Sequence, residues 1–416
     1  MSSNEFDARP QANRRRFLQY LAASPVFAGM ANSALAASTG SPTDTPFYSM
    51  ADGDFRVWDE ELRDAVIRAP GDALDLFDLE LAARRAQAPA HWGFVATGVD
   101  GNSTLRANRA DFLKFGLLQR RMRGAIGEDL KTTLFGETFD SPIFACPAGG
   151  AKMLDPNGPD ALAKATAATN NLQMLSIGGP EAAVKVNGGK VPWAQYYCLP
   201  DWDTNLKAFK RAEDIGAKVL VLTIDIIGVR KEVTGLRLRR SDNRKCIDCH
   251  DTPAGGGSAA TAIMRFKRDY DWDFIRRVKD STKMRLVLKG IMSAEDAALA
   301  VKHGVDGVFV SNHGGRSDDF GISSISMLPE VAKAVNGKAT IFLDGGIRRG
   351  VDAVKAIAMG ASAVGIGRPW HWGLGSFGEA GVRRVFEILR TETIMSMQQA
   401  GARTLKDLTP AMIRPL

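Results

Sequence analysis

The chain has 416 residues, far more than a disulfide-stapled mini-domain or a lone binding module needs. Its composition, 45% hydrophobic and 24% charged, is that of a globular protein and excludes disordered and fibrous classes. A net charge of +7, from 54 Lys and Arg against 47 Asp and Glu, is spread along the sequence. No basic run interleaved with aromatics follows residue 16, so nucleic acid is not an expected partner.

The first 36 residues read as an export signal. Asn13-Arg14-Arg15-Arg16-Phe17-Leu18 precedes a mostly apolar stretch from Leu18 to Met30, and Ala34-Leu35-Ala36 fits a small-residue cleavage site. The stretch is too short and interrupted to span a bilayer. Two arginines before x-Phe-Leu resemble the twin-arginine signal, an address read by a receptor. That route carries folded proteins, commonly with a cofactor already inserted. The mature chain is therefore expected in the periplasm, cut near Ala36. Residues 37–53 read as a linker, and residues 54–416 as one catalytic domain whose first stretch, 54–86, is helical.

From about residue 140 short apolar runs alternate with Ala-rich helical stretches. The runs are Pro142–Pro147, Gln173–Ile177, Ala194–Leu199, Val219–Asp225, Arg285–Lys289, Gly307–His313, Ile341–Gly345 and Ala363–Arg368. Runs such as Val219-Leu220-Val221-Leu222 are apolar at consecutive positions, as strands covered on both faces should be. Ser293-Ala294-Glu295-Asp296 opens one of the helices with a capping-box pattern. Eight strand-plus-helix units predict an α/β fold, a (β/α)8 TIM barrel with an N-terminal helical cap and a C-terminal helical tail. A doubly wound open sheet would want a Gly-x-Gly-x-x-Gly turn after its first strand, and none is there.

Polar residues stand at the C-terminal ends of these strands, where a barrel gathers its catalytic groups. They are Ser176, Gln195 with Tyr197, Thr223 with Asp225, Lys289, Ser311 to Arg316, Asp344-Gly345-Gly346 and Gly365 to Arg368. Glycines beside Arg348 and Arg368 after the last two strands predict a seat for a phosphate-bearing cofactor. His313 is the candidate base, and Asp225 the carboxylate that would hold it in one tautomer. Arg230 and Arg316 offer two forked guanidiniums suited to a carboxylate, with Lys289 adding a positive charge between them.

Ser311-Asn312-His313-Gly314-Gly315-Arg316, Asp344-Gly345-Gly346-Ile347-Arg348-Arg349-Gly350 and Gly367-Arg368-Pro369 resemble the FMN-dependent 2-hydroxy-acid oxidase and dehydrogenase family. Leu286 to Gly290, Gln195-Tyr196-Tyr197, Leu222 to Asp225 and Gly228-Val229-Arg230 match in the same order, and the likeness runs from about Trp92 to Ile388. The resemblance implies FMN held by Pro147, Ala148, Gly149, Ser176, Gln195, Thr223, Lys289, Ser311, Asp344, Gly345, Gly346, Arg348, Gly367 and Arg368. It implies His313 as base, Arg230 and Arg316 as carboxylate clamps, Tyr197 as a donor to substrate oxygen, and Lys289 at the N1–O2 edge of the flavin. Three departures stand out. Phe94 replaces the family's usual Tyr, Pro147-Ala148-Gly149 replaces Pro-Thr-Ala, and the segment from Asp225 to Arg230 is about two residues short. They point to altered substrate choice or rate.

Cys246-Ile247-Asp248-Cys249-His250 has the C-x-x-C-H pattern of covalent c-type haem, both thiols taking the vinyl groups and His250 the iron. Met264 is the one candidate for a sixth ligand. The loop, 237–270, is no longer than the family's ordinary one, and a local disulfide is the rival reading. Cys146 and Cys198 fall in predicted strands and read as buried apolar residues. The expected activity is oxidation of a lactate-like 2-hydroxy acid to a 2-oxo acid, with electrons passing to a periplasmic cytochrome or quinone, through a haem if one is attached. An oxygen-using oxidase and a non-catalytic haem protein on the same barrel are the competing readings, and a homo-oligomer is expected.

Overall fold

The computed structural model of the chain describes residues 67–124, 129–176, 180–228, 230–244 and 270–416. The predicted export signal and linker, and Cys246, Cys249, His250 and Met264, lie outside the described residues. The described part of the stretch read as helical, 54–86, is not one helix. A 3-10 turn at Pro70–Asp72 comes first, and α1 (Leu76–Ala86) starts afresh where the Asp75 side chain accepts the N–H groups of Phe77 and Asp78. Next come α2 (Pro89–Ala96), α3 (Ser103–Ala110), β1 (Phe115–Leu117) and a hairpin of β2 (Thr132–Leu134) and β3 (Glu137–Phe139).

The repeating part follows: β4 (Ile143–Ala145), α4 (Ala151–Leu154), α5 (Gly158–Ala168), β5 (Met174–Ser176), α6 (Pro180–Val186), β6 (Trp193–Tyr196), α7 (Trp202–Asp214), β7 (Val219–Thr223) and α8 (Val233–Arg240). It continues with α9 (Trp272–Asp280), β8 (Arg285–Ile291), α10 (Ala294–Lys302), β9 (Gly307–Val310), α11 (Ser324–Val335), β10 (Thr340–Leu343), α12 (Gly350–Ala358) and β11 (Ala363–Ile366). The eight strands from β4 to β11 are parallel, in the order β4-β11-β10-β9-β8-β7-β6-β5. Ala145 bridges to Gln173, and its N–H donates to the Leu172 carbonyl at 2.9 Å, so the ring closes between β4 and β5. All eight strands lie within or overlap the eight apolar runs. The Ser293 hydroxyl caps α10 by accepting the Asp296 N–H at 3.1 Å.

The strands form because their side chains are buried on both faces; every residue of β7, β9 and β11 is buried. Inside, Phe144, Phe309, Phe342 and Trp193 meet edge to face, with ring centroids 5.5–6.0 Å apart along Phe309–Phe144–Phe342–Trp193. The β2–β3 hairpin caps the N-terminal end of the barrel. Leu134 joins the interior cluster, Phe135 and Phe139 pack against it, and Glu137 accepts the indole N–H of Trp193 at 2.7 Å.

The opposite end receives the N-terminal cap. The Val99 N–H donates to the Gly315 carbonyl at 3.1 Å and the Asp100 N–H to the Lys231 carbonyl at 2.8 Å. Asn108 and Asn312 exchange amide hydrogen bonds at 2.8 Å. The C-terminal tail is α13 (Arg368–Ala400), interrupted at Phe377 and Gly378, and it ends in β12 (Ile413–Pro415), which pairs antiparallel with β1. Among the described residues no helix is long and apolar enough to cross a membrane.

Candidate active site

Three strand ends bring the catalytic candidates together. After β9 the chain turns through three consecutive left-handed residues, His313, Gly314 and Gly315, at φ of 58°, 66° and 75°. Gly315 has to be glycine, because a Cβ there would stand 2.6 Å from the Leu105 backbone nitrogen of α3. This turn presents His313 to Asp225, two residues past β7. His313 Nδ1 lies 2.9 Å from Asp225 Oδ1, and its Nε2 lies 3.3 Å from the Tyr197 hydroxyl. The carboxylate can only accept, so neutral His313 carries its proton on Nδ1 and leaves Nε2 as the basic nitrogen.

Burial lowers the His313 pKa, and Lys289 lowers it further, against the pull of Asp225. The neutral, proton-accepting form is therefore favoured. Burial would raise the Asp225 pKa, but the His313 ring and the Lys289 ammonium outweigh it and hold the carboxyl below its ordinary value. The His313 side chain is 19% exposed, whereas Asp225 is at 7% and Lys289 at 3%. The imidazole is thus the member of the trio that faces the mouth.

Lys289 projects from β8 and donates to Ser311 Oγ at 2.8 Å, an oxygen that also accepts the His313 backbone N–H. Asp344 and Asp225 stand 3.6 and 3.9 Å from its Nζ. Burial opposes its charge, but these two carboxylates prevail and raise its pKa above the ordinary lysine value. The Cys146 thiol donates to Asp344 at 3.5 Å, and burial, with the Asp344 charge, raises its pKa. Cys146 lies just past β4 and Cys198 just past β6, and both are buried and outside any disulfide.

Loops and the N-terminal cap build the second group. Arg230 precedes α8 and donates from Nη1 to the Arg316 carbonyl at 2.7 Å. Arg316 donates from Nη1 to the carbonyls of Phe94 and Thr97 at 2.7 and 2.8 Å, and its guanidinium lies 4.8 Å above the Phe94 ring. The two arginines expected to form a carboxylate clamp are therefore adjacent, despite the shortened segment before Arg230. Burial, and then the charge of Arg316, lower the Arg230 pKa.

The residues expected around FMN line the same mouth. The Gln195 amide donates to Thr223 Oγ1 at 2.8 Å, tying the ends of β6 and β7. Ser176 ends β5, and Pro147, Ala148 and Gly149 follow β4. Gly345 and Gly346 are both left-handed, and a Cβ on Gly346 would overlap the Asn108 carbonyl at 1.9 Å. Arg348 lies 4.7 Å over the Trp372 ring and donates to the Ile347 carbonyl. Arg368 directs three donors to the carbonyls of Val95, Thr97 and Gly314, so it also ties the cap to the barrel. This set fits FMN: a buried ammonium with carboxylates beyond hydrogen-bond reach suits the electron-rich edge of the ring. Gly149 and Gly367 meet no atom within 4 Å where a Cβ would stand, which leaves room along the cofactor path. Among the described residues no cluster of His, Cys, Asp and Glu could hold a metal ion.

Two further residues were not found by sequence reasoning. Glu232 turns onto both clamp arginines, 2.8 Å from Arg316 Nη2 and 3.4 Å from Arg230 Nη2. Its signal was only an acidic residue two places after Arg230. His371, buried against Trp370, donates from Nε2 to the Gly149 carbonyl at 2.9 Å. Burial lowers its pKa to about 3, so it stays neutral and fixes the loop after β4. Its place in Arg368-Pro369-Trp370-His371, after the last strand, was the available hint.

The geometry agrees with comparisons against known proteins. The family described as FMN-dependent dehydrogenase matches residues 83–415. The mouse protein 2-Hydroxyacid oxidase 2 is 34% identical over 346 residues, covering 82% of this chain and 98% of its own. L-lactate dehydrogenase (cytochrome) of Wickerhamomyces anomalus is 30% identical over 380 residues, covering 87% of this chain and 66% of its own. Among solved structures, mandelate oxidase superposes with a TM-score of 0.74 at 31% identity, covering 82% of this chain and 98% of its own. A flavocytochrome b2 variant with pyruvate bound gives 0.76 at 26% identity, covering 87% and 92%. The chain belongs to the FMN-dependent dehydrogenase family, the 2-hydroxy-acid oxidases and dehydrogenases that act on CH–OH donors.

Proposed function

We propose that the mature chain is an exported enzyme that oxidises a small, lactate-like 2-hydroxy acid to its 2-oxo acid. The observation that carries this is the His313–Asp225 pair at 2.9 Å with Lys289 buried beside it. Arg230 and Arg316 bind the substrate carboxylate and so set the reacting carbon against the mouth. His313 Nε2 takes the hydroxyl proton, and Asp225 keeps the ring in the tautomer that can do so while stabilising the imidazolium that forms. Tyr197, 3.3 Å from the same nitrogen, donates to the substrate oxygen as it becomes a carbonyl. Bound FMN supplies the acceptor for the hydride equivalent that leaves the substrate carbon. Lys289 would be placed to neutralise the negative charge that bound FMN takes up.

Electrons then leave for a respiratory cytochrome or quinone outside the cytoplasmic membrane, which the twin-arginine pattern near the N-terminus supports. The C-x-x-C-H motif favours a second reading of this last step, in which haem on Cys246 and Cys249, ligated by His250, relays the electrons. An absorption spectrum of the exported protein, taken anaerobically with glycolate, L-lactate and mandelate, tests both. The proposal expects flavin bands that bleach with at least one acid and recover with ferricytochrome c or a quinone faster than with oxygen. A pyridine haemochrome signal that reduces in step supports the relay; its absence limits the motif to free thiols or a disulfide. A protein with no flavin, or with flavin that no hydroxy acid bleaches, overturns the function.

A further inference from the structure

The carboxylate clamp contains a carboxylate of its own. Glu232 Oε1 accepts from Arg316 Nη2 at 2.8 Å and stands 3.4 Å from Arg230 Nη2. Glu232 occupies the N-cap position of α8, yet its side chain caps nothing there. The helix forgoes a side-chain cap, and the carboxylate faces the arginines instead. All three side chains are largely buried, 11% exposed for Arg230, 12% for Arg316 and 19% for Glu232. Charge in such a place is weakly screened.

The donor count sharpens the point. Arg316 Nη1 is committed to two backbone carbonyls, and Arg230 Nη1 to a third. The Nη2 groups are the ones that converge on Glu232 rather than on backbone, and Arg230 Nε is buried without a hydrogen-bond partner. An arriving substrate carboxylate meets a clamp of net charge +1 instead of +2, and it competes with Glu232 for the two Nη2 groups.

We propose that Glu232 is a tuning residue of the clamp, an internal counter-carboxylate that holds Arg230 and Arg316 together and weakens their grip on mono-anionic acids so that the 2-oxo product can leave. The proposal rests on the 2-hydroxy-acid reading of the site. Glu232→Gln keeps the shape and an acceptor oxygen but removes the charge. Calorimetric titration of the flavin-loaded protein with pyruvate then reads the clamp directly, independently of turnover. Pyruvate should bind about three- to tenfold more tightly to Glu232→Gln than to the wild type, and the half-saturating concentration of L-lactate should fall with it. Glu232→Asp keeps the charge and should tighten pyruvate binding less than Gln does.

The sign of the change is decisive. A merely structural Glu232 would loosen the arginines when altered, so weaker or unchanged pyruvate binding to Glu232→Gln overturns the proposal, as does equal tightening by Asp and Gln. A wild type that neither binds pyruvate nor bleaches with any hydroxy acid removes the underlying function instead, which the same titration detects first.

Discussion

The mouth of the barrel is built in two ways. His313, Asp225 and Lys289 stand at or just beyond strand ends, where parallel-sheet hydrogen bonds on both sides fix the backbone and leave little choice of position. Arg230, Glu232, Arg316 and Phe94 come from loops and from the cap. Their positions depend on backbone carbonyls offered by segments more than 80 residues away in sequence, such as that of Phe94 to Arg316. The first group supplies the proton chemistry and the second holds the substrate. A barrel can therefore keep its reaction while its choice of acid drifts, and two of the three departures from the family pattern, Phe94 and the shortened segment before Arg230, fall in the second group.

The division is broken most severely at His313. His313→Ala removes the base and leaves the clamp intact, so flavin reduction by a saturating hydroxy acid should slow by about 10²- to 10⁴-fold. Stopped-flow absorbance measures this, and the pyruvate affinity of the variant should stay close to wild type. An unchanged reduction rate would mean that His313 is not the base and that another group at the mouth takes the proton.

Arg316→Lys tests the other half. The ammonium keeps the charge but cannot reach two backbone carbonyls and a carboxylate in one plane. The half-saturating substrate concentration should rise about tenfold or more, equivalent to ~1.4 kcal/mol for each factor of ten. A loss confined to kcat would move Arg316 into the first group.

Acid titration distinguishes the two groups without mutation. Activity needs neutral His313, whose pKa lies below the ordinary 6.5 because of burial and Lys289. Activity should therefore be full above that value and fall only as pH drops through the lowered one. Asp225→Asn removes the charge that pulls the His313 pKa up, so the acid limb of kcat/KM should move lower still while the maximum rate falls. A limb that moves upward would mean that Asp225 acts on another group.

Legibility in the sequence follows the same line. Eight apolar runs marked the eight strands because two-sided burial leaves an unmistakable pattern, and the polar residues ending them were identifiable one by one. The hairpin over the barrel floor was missed, since its two three-residue strands are too short to show a period and Phe135 sits in the turn between them. The 3-10 turn at Pro70–Asp72 was merged into a helix although its Pro-Gly pair argued against it. Glu232 was missed for a different reason: nothing in its local sequence marks it, and only the folded chain shows that it faces two arginines. Residues that act through the backbone of a distant loop leave no local signature.

Phe94 offers the smallest and most specific test. Its ring packs under the Arg316 guanidinium and beside Gly150, whose Cβ position lies 2.7 Å from the ring edge. The aromatic is thus already a wall between the clamp and the loop after β4. Phe94→Tyr restores the hydroxyl that the family pattern places beside the substrate carboxylate. One added hydrogen bond to a charged group is worth about 1.5–3 kcal/mol at best and less where water already serves the carboxylate. Substrate half-saturation should therefore fall by several-fold for a small acid such as glycolate. A bulky acid such as mandelate should gain less, because the added oxygen takes space on the same wall. Equal gains for both acids would show that the hydroxyl only strengthens the clamp, and that Phe94 has no part in choosing between substrates.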